Sequence, residues 1–248
     1  MSLLKSSNPK QNWIIFNEDE RKKFLVENLN HHRACLLIHG FSGGSFEVDP
    51  LAAYLREQGW ICHVPTLPGH GEHLKDLKNI KYHQWMEAVK KEAVKMSELY
   101  SRFDLVGFSM GGVLAAYISN HFPVKKLVLL NAAVIYVSPG RFMKLTYKQM
   151  RNKDWSRFKK INGVPLSATW QFIQLAHRLR VEFSKVHTPT LIVQGQQDHI
   201  VHPYSASYLK RIIPAEEKSV VYFPLSTHVI CLGKEAEEVF ETVGGFLK

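Results

Sequence analysis

Cysteine is scarce in this chain. Cys35, Cys62 and Cys231 are the three among 248 residues. An odd number at wide spacing argues against a disulfide framework, and Cys35 and Cys62 sit in apolar runs where buried free thiols are common. Long hydrophobic runs are missing as well, since no stretch approaches the roughly 20 apolar residues of a membrane-spanning helix. The opening MSLLKSSNPKQN lacks the apolar segment of a secretory signal. The expectation is a cytoplasmic chain that can touch a membrane surface but not cross one. There is no internal repeat and no low-complexity tract. Acidic residues are in deficit, with 22 Asp and Glu against 32 Lys and Arg and a formal net charge of +10. Such a balance favours anionic partners, but its meaning depends on where the charge lies. What is present is ordinary globular composition, 45% hydrophobic and 22% charged. That suffices for one α/β unit with a sizeable core.

Residues 1–12 read as a polar tail, and 13–16 and 24–26 as short early strands around a charged turn. From Arg33 onward the pattern sharpens. Continuous apolar runs at 34–38, 60–64, 103–107, 126–131, 190–195 and 219–223 fit strands buried on both faces. Between them, 49–58, 82–100, 111–122, 203–213 and 234–247 carry helical spacing, with Gly59 and Pro123 as stops. Alternating strands and helices predict a mostly parallel central sheet with helices on both faces. In such sheets ligands bind beyond the carboxyl ends of the strands.

One interval breaks the alternation. Residues 135–187 contain no buried strand but many aromatics: Phe142, Tyr147, Trp155, Phe158, Trp170, Phe172 and Phe183. Eleven Lys or Arg fall there against Asp154 and Glu182, so nearly the whole net charge is concentrated in this insertion. The domain reading is a core of 1–134 and 188–248 with an inserted helical cap at 135–187.

The chemistry centres on Gly107-Phe108-Ser109-Met110-Gly111-Gly112, a G-x-S-x-G between a strand and a helix. A nucleophilic serine must stand clear of the sheet on a sharp turn. Gly107 and Gly111 relieve the crowding around that turn, and the following helix aims amide N–H groups at the site. Serine needs a base, and histidine has the right pKa range. Of thirteen histidines, His228 follows the last strand, where the chain order serine, acid, histidine places the base. Asp198 follows the preceding strand and is the sole acid between Glu182 and Glu216. It would hold the imidazole tautomer and stabilise the imidazolium. Asn131-Ala132-Ala133, where some triads keep their acid, has none. Two N–H donors must meet the developing oxyanion. Met110, just after the serine, supplies one, and Phe41 in His39-Gly40-Phe41-Ser42-Gly43-Gly44 supplies the other.

These residues, together with Pro68-Gly69-His70-Gly71, Asp198-His199-Ile200-Val201 and Ser226-Thr227-His228-Val229-Ile230, resemble the α/β-hydrolase superfamily. The likeness spans roughly residues 34–248 and is nearest to small bacterial carboxylesterases and monoacylglycerol lipases. It implies the α/β-hydrolase fold with a compact helical cap and cleavage of small-molecule acyl esters without a cofactor. Thr227 departs from a family glycine before the histidine, and the 68–73 loop lacks the Asp and Arg common before Gly-His-Gly.

Other chemistries compete on the same scaffold: thioesterase, acyltransferase and carbon–carbon hydrolase activity, or a non-catalytic binding role. His70-Gly71-Glu72-His73 is not a helical H-E-x-x-H, so no metal site is expected. His199 and His202 read as rim or solvent-facing. The basic cap has two readings, a solvated face above an apolar lid or peripheral attraction to anionic membrane. No nucleic-acid motif accompanies the charge. The sequence is compatible with a monomer or a dimer.

Overall fold

Each apolar run ahead of a glycine, proline or polar turn becomes a strand in the computed structural model, which describes residues 33–71, 73–135 and 164–248. The expected strands at 13–16 and 24–26 lie outside the described residues. So do Phe142, Tyr147, Trp155 and Phe158, with eight of the eleven basic residues of the interval, from Arg141 to Lys160. Among the described residues there are six strands, β1 (Arg33–Ile38), β2 (Trp60–His63), β3 (Phe103–Phe108), β4 (Val124–Leu130), β5 (Thr190–Gly195) and β6 (Lys218–Phe223). Every neighbouring pair is parallel, in the order β2-β1-β3-β4-β5-β6.

The helices are α1 (Asp49–Glu57), α2 (Tyr82–Leu99), α3 (Met110–Ser119), α4 (Leu166–Leu179), α5 (Tyr204–Ile212) and α6 (Ala236–Leu247). In α2, Trp85, Val89, Ala93 and Met96 recur at helical spacing and are buried. The Gln84 side chain closes its first turn by accepting the Lys81 N–H at 2.8 Å. Helix α3 ends three residues earlier than its apolar pattern suggests. Pro123 cannot extend it, and Asn120 to Phe122 turn the chain toward β4.

The period-two alternation of the strands sorts the core into two layers. Leu36, Ile38, Leu105, Leu127, Leu129 and Ile192 join residues of α2, α3, α4 and α5. Cys35, Leu37, Val106, Phe108, Val128, Leu191 and Val193 join α1 and α6. Helix α3 is buried at nine of its ten residues, because α2 and α4 pack against it from outside. The described end of the 135–187 interval is α4 with the turn Arg180–Lys185. Phe172, Leu175, Leu179 and Phe183 are buried, while Trp170 and Leu166 are exposed. Asn120 Nδ2 ties the turn to the end of α3 through the Glu182 side chain at 2.9 Å.

The topology places the site. From β1 the chain moves to β2 on one side, then crosses to β3 on the other. The strand order therefore reverses between β1 and β3, the position at which open parallel sheets bind ligands. The loop carrying Phe41 leaves β1, and Ser109 leaves β3.

Candidate active site

Ser109 sits at the end of β3 with φ 52° and ψ −114°. Left-handed φ is costly for a residue with a Cβ and persists only where neighbouring structure enforces it. Here three backbone bonds do so: the Ser109 N–H donates to the Leu130 carbonyl at 2.9 Å, and the Ser109 carbonyl accepts from Gly112 at 3.0 Å and Ala133 at 3.2 Å. The sharp turn folds α3 back against β1 and β3. A Cβ on Gly111 would lie 2.1 Å from the Ile38 carbonyl oxygen, and one on Gly107 would lie 2.4 Å from the Gly111 oxygen. Only glycine fits either place.

Asp198 and His228 come from the loops after β5 and β6. One carboxylate oxygen of Asp198 accepts the N–H groups of Ile200 at 2.8 Å and Val201 at 2.9 Å. The other faces His228 Nδ1 at 2.8 Å. A carboxylate can only accept, so Nδ1 carries the proton and Nε2 presents its lone pair. That lone pair lies 3.0 Å from Ser109 Oγ. All three residues are buried. Burial disfavours a charged His228, but the Asp198 carboxylate outweighs it by charge and hydrogen bond, and Glu47 adds to it. The net effect holds His228 above its ordinary 6.5.

The loop after β1 is fixed by a histidine of its own. His39 Nδ1–H donates to the Gly40 carbonyl at 2.8 Å, and Nε2 accepts the Leu67 N–H at 3.0 Å. Burial pushes the His39 pKa down to about 4, so the ring stays neutral in both roles. Phe41 is buried, and its ring stacks on Phe172 of α4 with centroids 4.9 Å apart and meets Trp85 edge-on at 5.8 Å. Met110 opens α3. A first helical residue has no intrahelical acceptor for its N–H, and the helix dipole adds positive character there.

The structure thus brings Ser109, Asp198 and His228 into hydrogen-bond reach at the strand ends, with Phe41 and Met110 on the flanking loop and helix start. His199 and His202 are exposed, as are His73, His83, His121, His177 and His187. His70 is buried against His39 and Trp85, and burial pushes its pKa down to about 3. Among the described residues no group of three His, Cys, Asp or Glu is arranged to hold a metal ion.

Three contributors escaped the sequence reading. Asn131 (φ 44°) stands at the end of β4, fully buried. Its Nδ2 donates to the carbonyls of Thr227 at 3.1 Å and His228 at 2.7 Å, and its Oδ1 accepts the Gly195 N–H at 2.8 Å. It therefore ties the acid-bearing and histidine-bearing loops together. Glu235 accepts from Ser226 Oγ and the Leu225 N–H, bracing the histidine loop from its other side. The third is Glu47, whose Oε2 accepts the Gly40 N–H at 2.9 Å. The absence of an acid at residue 131 was visible in the sequence, but nothing local signalled that an amide there would be a clamp.

Comparison with known proteins agrees with this fold. The model of the alpha/beta hydrolase family matches residues 35–242, and the chain belongs to that family. It is 28% identical over 229 residues to a carboxylesterase of Bacillus subtilis (strain 168), covering 87% of this chain and 92% of that one. It is 27% identical over 217 residues to a thermostable monoacylglycerol lipase of Bacillus sp. (strain H-257), covering 83% and 86%. Among solved structures it is similar to one reported for LipS and LipT, two metagenome-derived lipolytic enzymes. The TM-score is 0.75 at 23% identity, covering 87% of this chain and 93% of that one.

Proposed function

We propose that this α/β hydrolase cleaves carboxylic esters of small molecules through an acyl-enzyme on Ser109, in the manner of a carboxylesterase or monoacylglycerol lipase. The observation that carries the reading is the continuous chain from Asp198 through His228 to Ser109, with contacts of 2.8 and 3.0 Å, at the switch point of the sheet. In this reading His228 Nε2 takes the hydroxyl proton as Ser109 Oγ attacks the ester carbonyl. The oxyanion is met by the N–H groups of Phe41 and Met110. His228 then protonates the leaving alcohol, and water activated by the same ring releases the acid. Asp198 keeps the tautomer and stabilises the imidazolium. The 135–187 interval acts as the cap over the acyl group, a reading supported by the stacking of Phe172 on Phe41.

The names of the two Bacillus relatives support ester substrates of this kind. The test is hydrolysis of p-nitrophenyl esters from acetate to palmitate and of a monoacylglycerol by wild type and Ser109→Ala. Turnover abolished in the variant is expected, and the chain-length profile separates a short-chain esterase from a lipid hydrolase. Wild-type turnover confined to thioesters or diketones would replace ester hydrolysis by another reaction of the same nucleophile. Turnover undiminished in Ser109→Ala would overturn the mechanism.

A further inference from the structure

A buried carboxylate lies behind the loop that carries Phe41. Glu47 belongs to the short turn Ser45–Glu47 between β1 and α1 and is only 7% exposed. Its Oε2 accepts the Gly40 N–H at 2.9 Å. The carboxyl group fills the space a side chain would need at residue 43. A Cβ on Gly43 would lie 2.1 Å from Glu47 Cδ and 2.2 and 2.3 Å from its two oxygens. Among the described residues no Lys or Arg forms an ion pair with it. The Glu47 carboxylate and the Phe108 ring close on the same side of Gly40, and Phe108 packs on His228 with ring centroids 5.1 Å apart, so the carboxylate lies within electrostatic reach of the imidazole. It also reaches the buried Cys231 thiol in the turn Ile230–Leu232.

A carboxyl group buried without a cation costs several kcal/mol when charged unless its surroundings use the charge. Burial pushes Glu47 up to about 7, against the pull of the Gly40 bond and of His228, so its charge is carried from about neutral pH upward. An amide oxygen would satisfy the Gly40 N–H without that cost. What an amide lacks is charge, and the group that gains charge during the proposed reaction is His228. The titratable groups whose charge acts on His228 are Asp198, hydrogen-bonded to it, and Glu47, and the charge of Glu47 acts on His228 and Cys231.

We propose that Glu47 is a positioning residue with two duties: its carboxylate holds the Gly40 backbone next to the Phe41 N–H, and it is the second negative charge supporting the His228 imidazolium. This inference rests on the serine-hydrolase reading above. Glu47 touches no reacting atom. It acts through the loop on one side and through the histidine on the other.

Glu47→Gln separates the two duties, because glutamine keeps an acceptor for the Gly40 N–H and removes the charge. The test measures kcat/KM on a p-nitrophenyl ester from about pH 5 to 9 for wild type, Glu47→Gln, Glu47→Ala and Ser109→Ala. Without the charge, protonated His228 is less favoured. The acid limb of Glu47→Gln is expected to move to lower pH by about half a unit, with plateau kcat within about threefold of wild type. Glu47→Ala also leaves the Gly40 N–H without its acceptor. Its kcat is expected to fall about tenfold or more with KM little changed. An acid limb that Glu47→Gln leaves in place overturns the proposal whatever happens to kcat, since a carboxylate serving packing alone would lower activity equally at every pH. Should the alanine variant fail to fold, the glutamine limb still decides. With Ser109→Ala inactive, an unmoved limb removes the role of Glu47 alone. Turnover surviving in Ser109→Ala removes the reading on which it rests.

Discussion

The middle of the sheet and its carboxyl-end rim follow opposite rules. In the middle, Leu36, Val106, Val128 and Ile192 sit on four adjacent strands, enclosed by apolar neighbours. Their side chains ask only for volume to be filled. A few residues further along the same strands, His39, Ser109, Asn131 and Asp198 are buried to a similar depth. Their side chains carry polar atoms, and each is held by named partners. Ser109 and Asn131 also take positive φ. A buried polar group is costly without its partner. The rim is therefore stable only in one arrangement, and that arrangement is the one that aligns serine, histidine and acid. In the middle, packing and catalysis are separable. At the rim they are the same interactions.

The comparison is broken most directly at Ser109. Ser109→Ala is expected to lower kcat about 10⁴-fold or more while leaving the fold intact, measured by ester turnover beside a urea unfolding curve. Asp198→Asn comes next, with kcat down about 10³- to 10⁴-fold. The amide can donate to Nδ1, which selects the tautomer with the proton on Nε2, where it cannot accept from the serine.

Asn131→Ala should sharpen the contrast. It leaves the Gly195 N–H and the carbonyls of Thr227 and His228 without their partner. Stability should fall by about 2–4 kcal/mol and kcat by about tenfold or more, because the same bonds hold both loops. Its counterpart in the middle, Leu129→Ala, should cost about 2–5 kcal/mol by leaving a cavity. Its kcat, measured below the unfolding transition, should stay within about threefold. If Asn131→Ala lost stability but kept its turnover, the coupling drawn above for the rim would be wrong.

The remaining expected effects are on pH dependence. In the proposed mechanism His228 must be neutral to act as base, and it is held above 6.5. The acid limb of kcat/KM should therefore have its midpoint above that of a free imidazole. Stability moves the other way for the two inner histidines. His39 and His70 are depressed to about 4 and about 3. Their contribution is complete above the unfolded value of 6.5 and is lost as pH falls toward the folded values. Glu47, raised to about 7 from 4.5, works against them between those two values. His63 is lowered alongside them and Asp104 raised alongside Glu47, and the larger histidine shifts leave the urea midpoint falling as pH drops below 6.5. A His70→Gln variant should flatten that slope.

Much of this was legible without coordinates, for local reasons. Strands such as 34–38 and 190–195 announce themselves because apolar runs between turn residues have one economical burial. Helix α2 does so because Trp85, Val89, Ala93 and Met96 recur on one face. Ser109 was legible because its turn demands Gly107 and Gly111 in a fixed local pattern. Asp198 and His228 followed from chain order and from the lack of a rival acid nearby. Glu47 was not legible. In Phe46-Glu47-Val48 an acid looks like any surface acid, and only the folded loop turns it inward against Gly40 and Gly43.

The sequence by itself therefore determined the alternation of elements, the sharp turn at the serine and the identities of the three residues that meet there. These depend on near neighbours, through periodicity, steric demand and turn chemistry. The tertiary structure alone decided that His228 would meet Asp198 across 30 residues and Ser109 across 119. It also decided that Asn131 would clamp two loops and that a carboxylate would be buried behind Gly40. Burial and hydrogen-bond partners are properties of segments distant in the chain. They exist only once the parallel sheet has brought its strand ends to one rim.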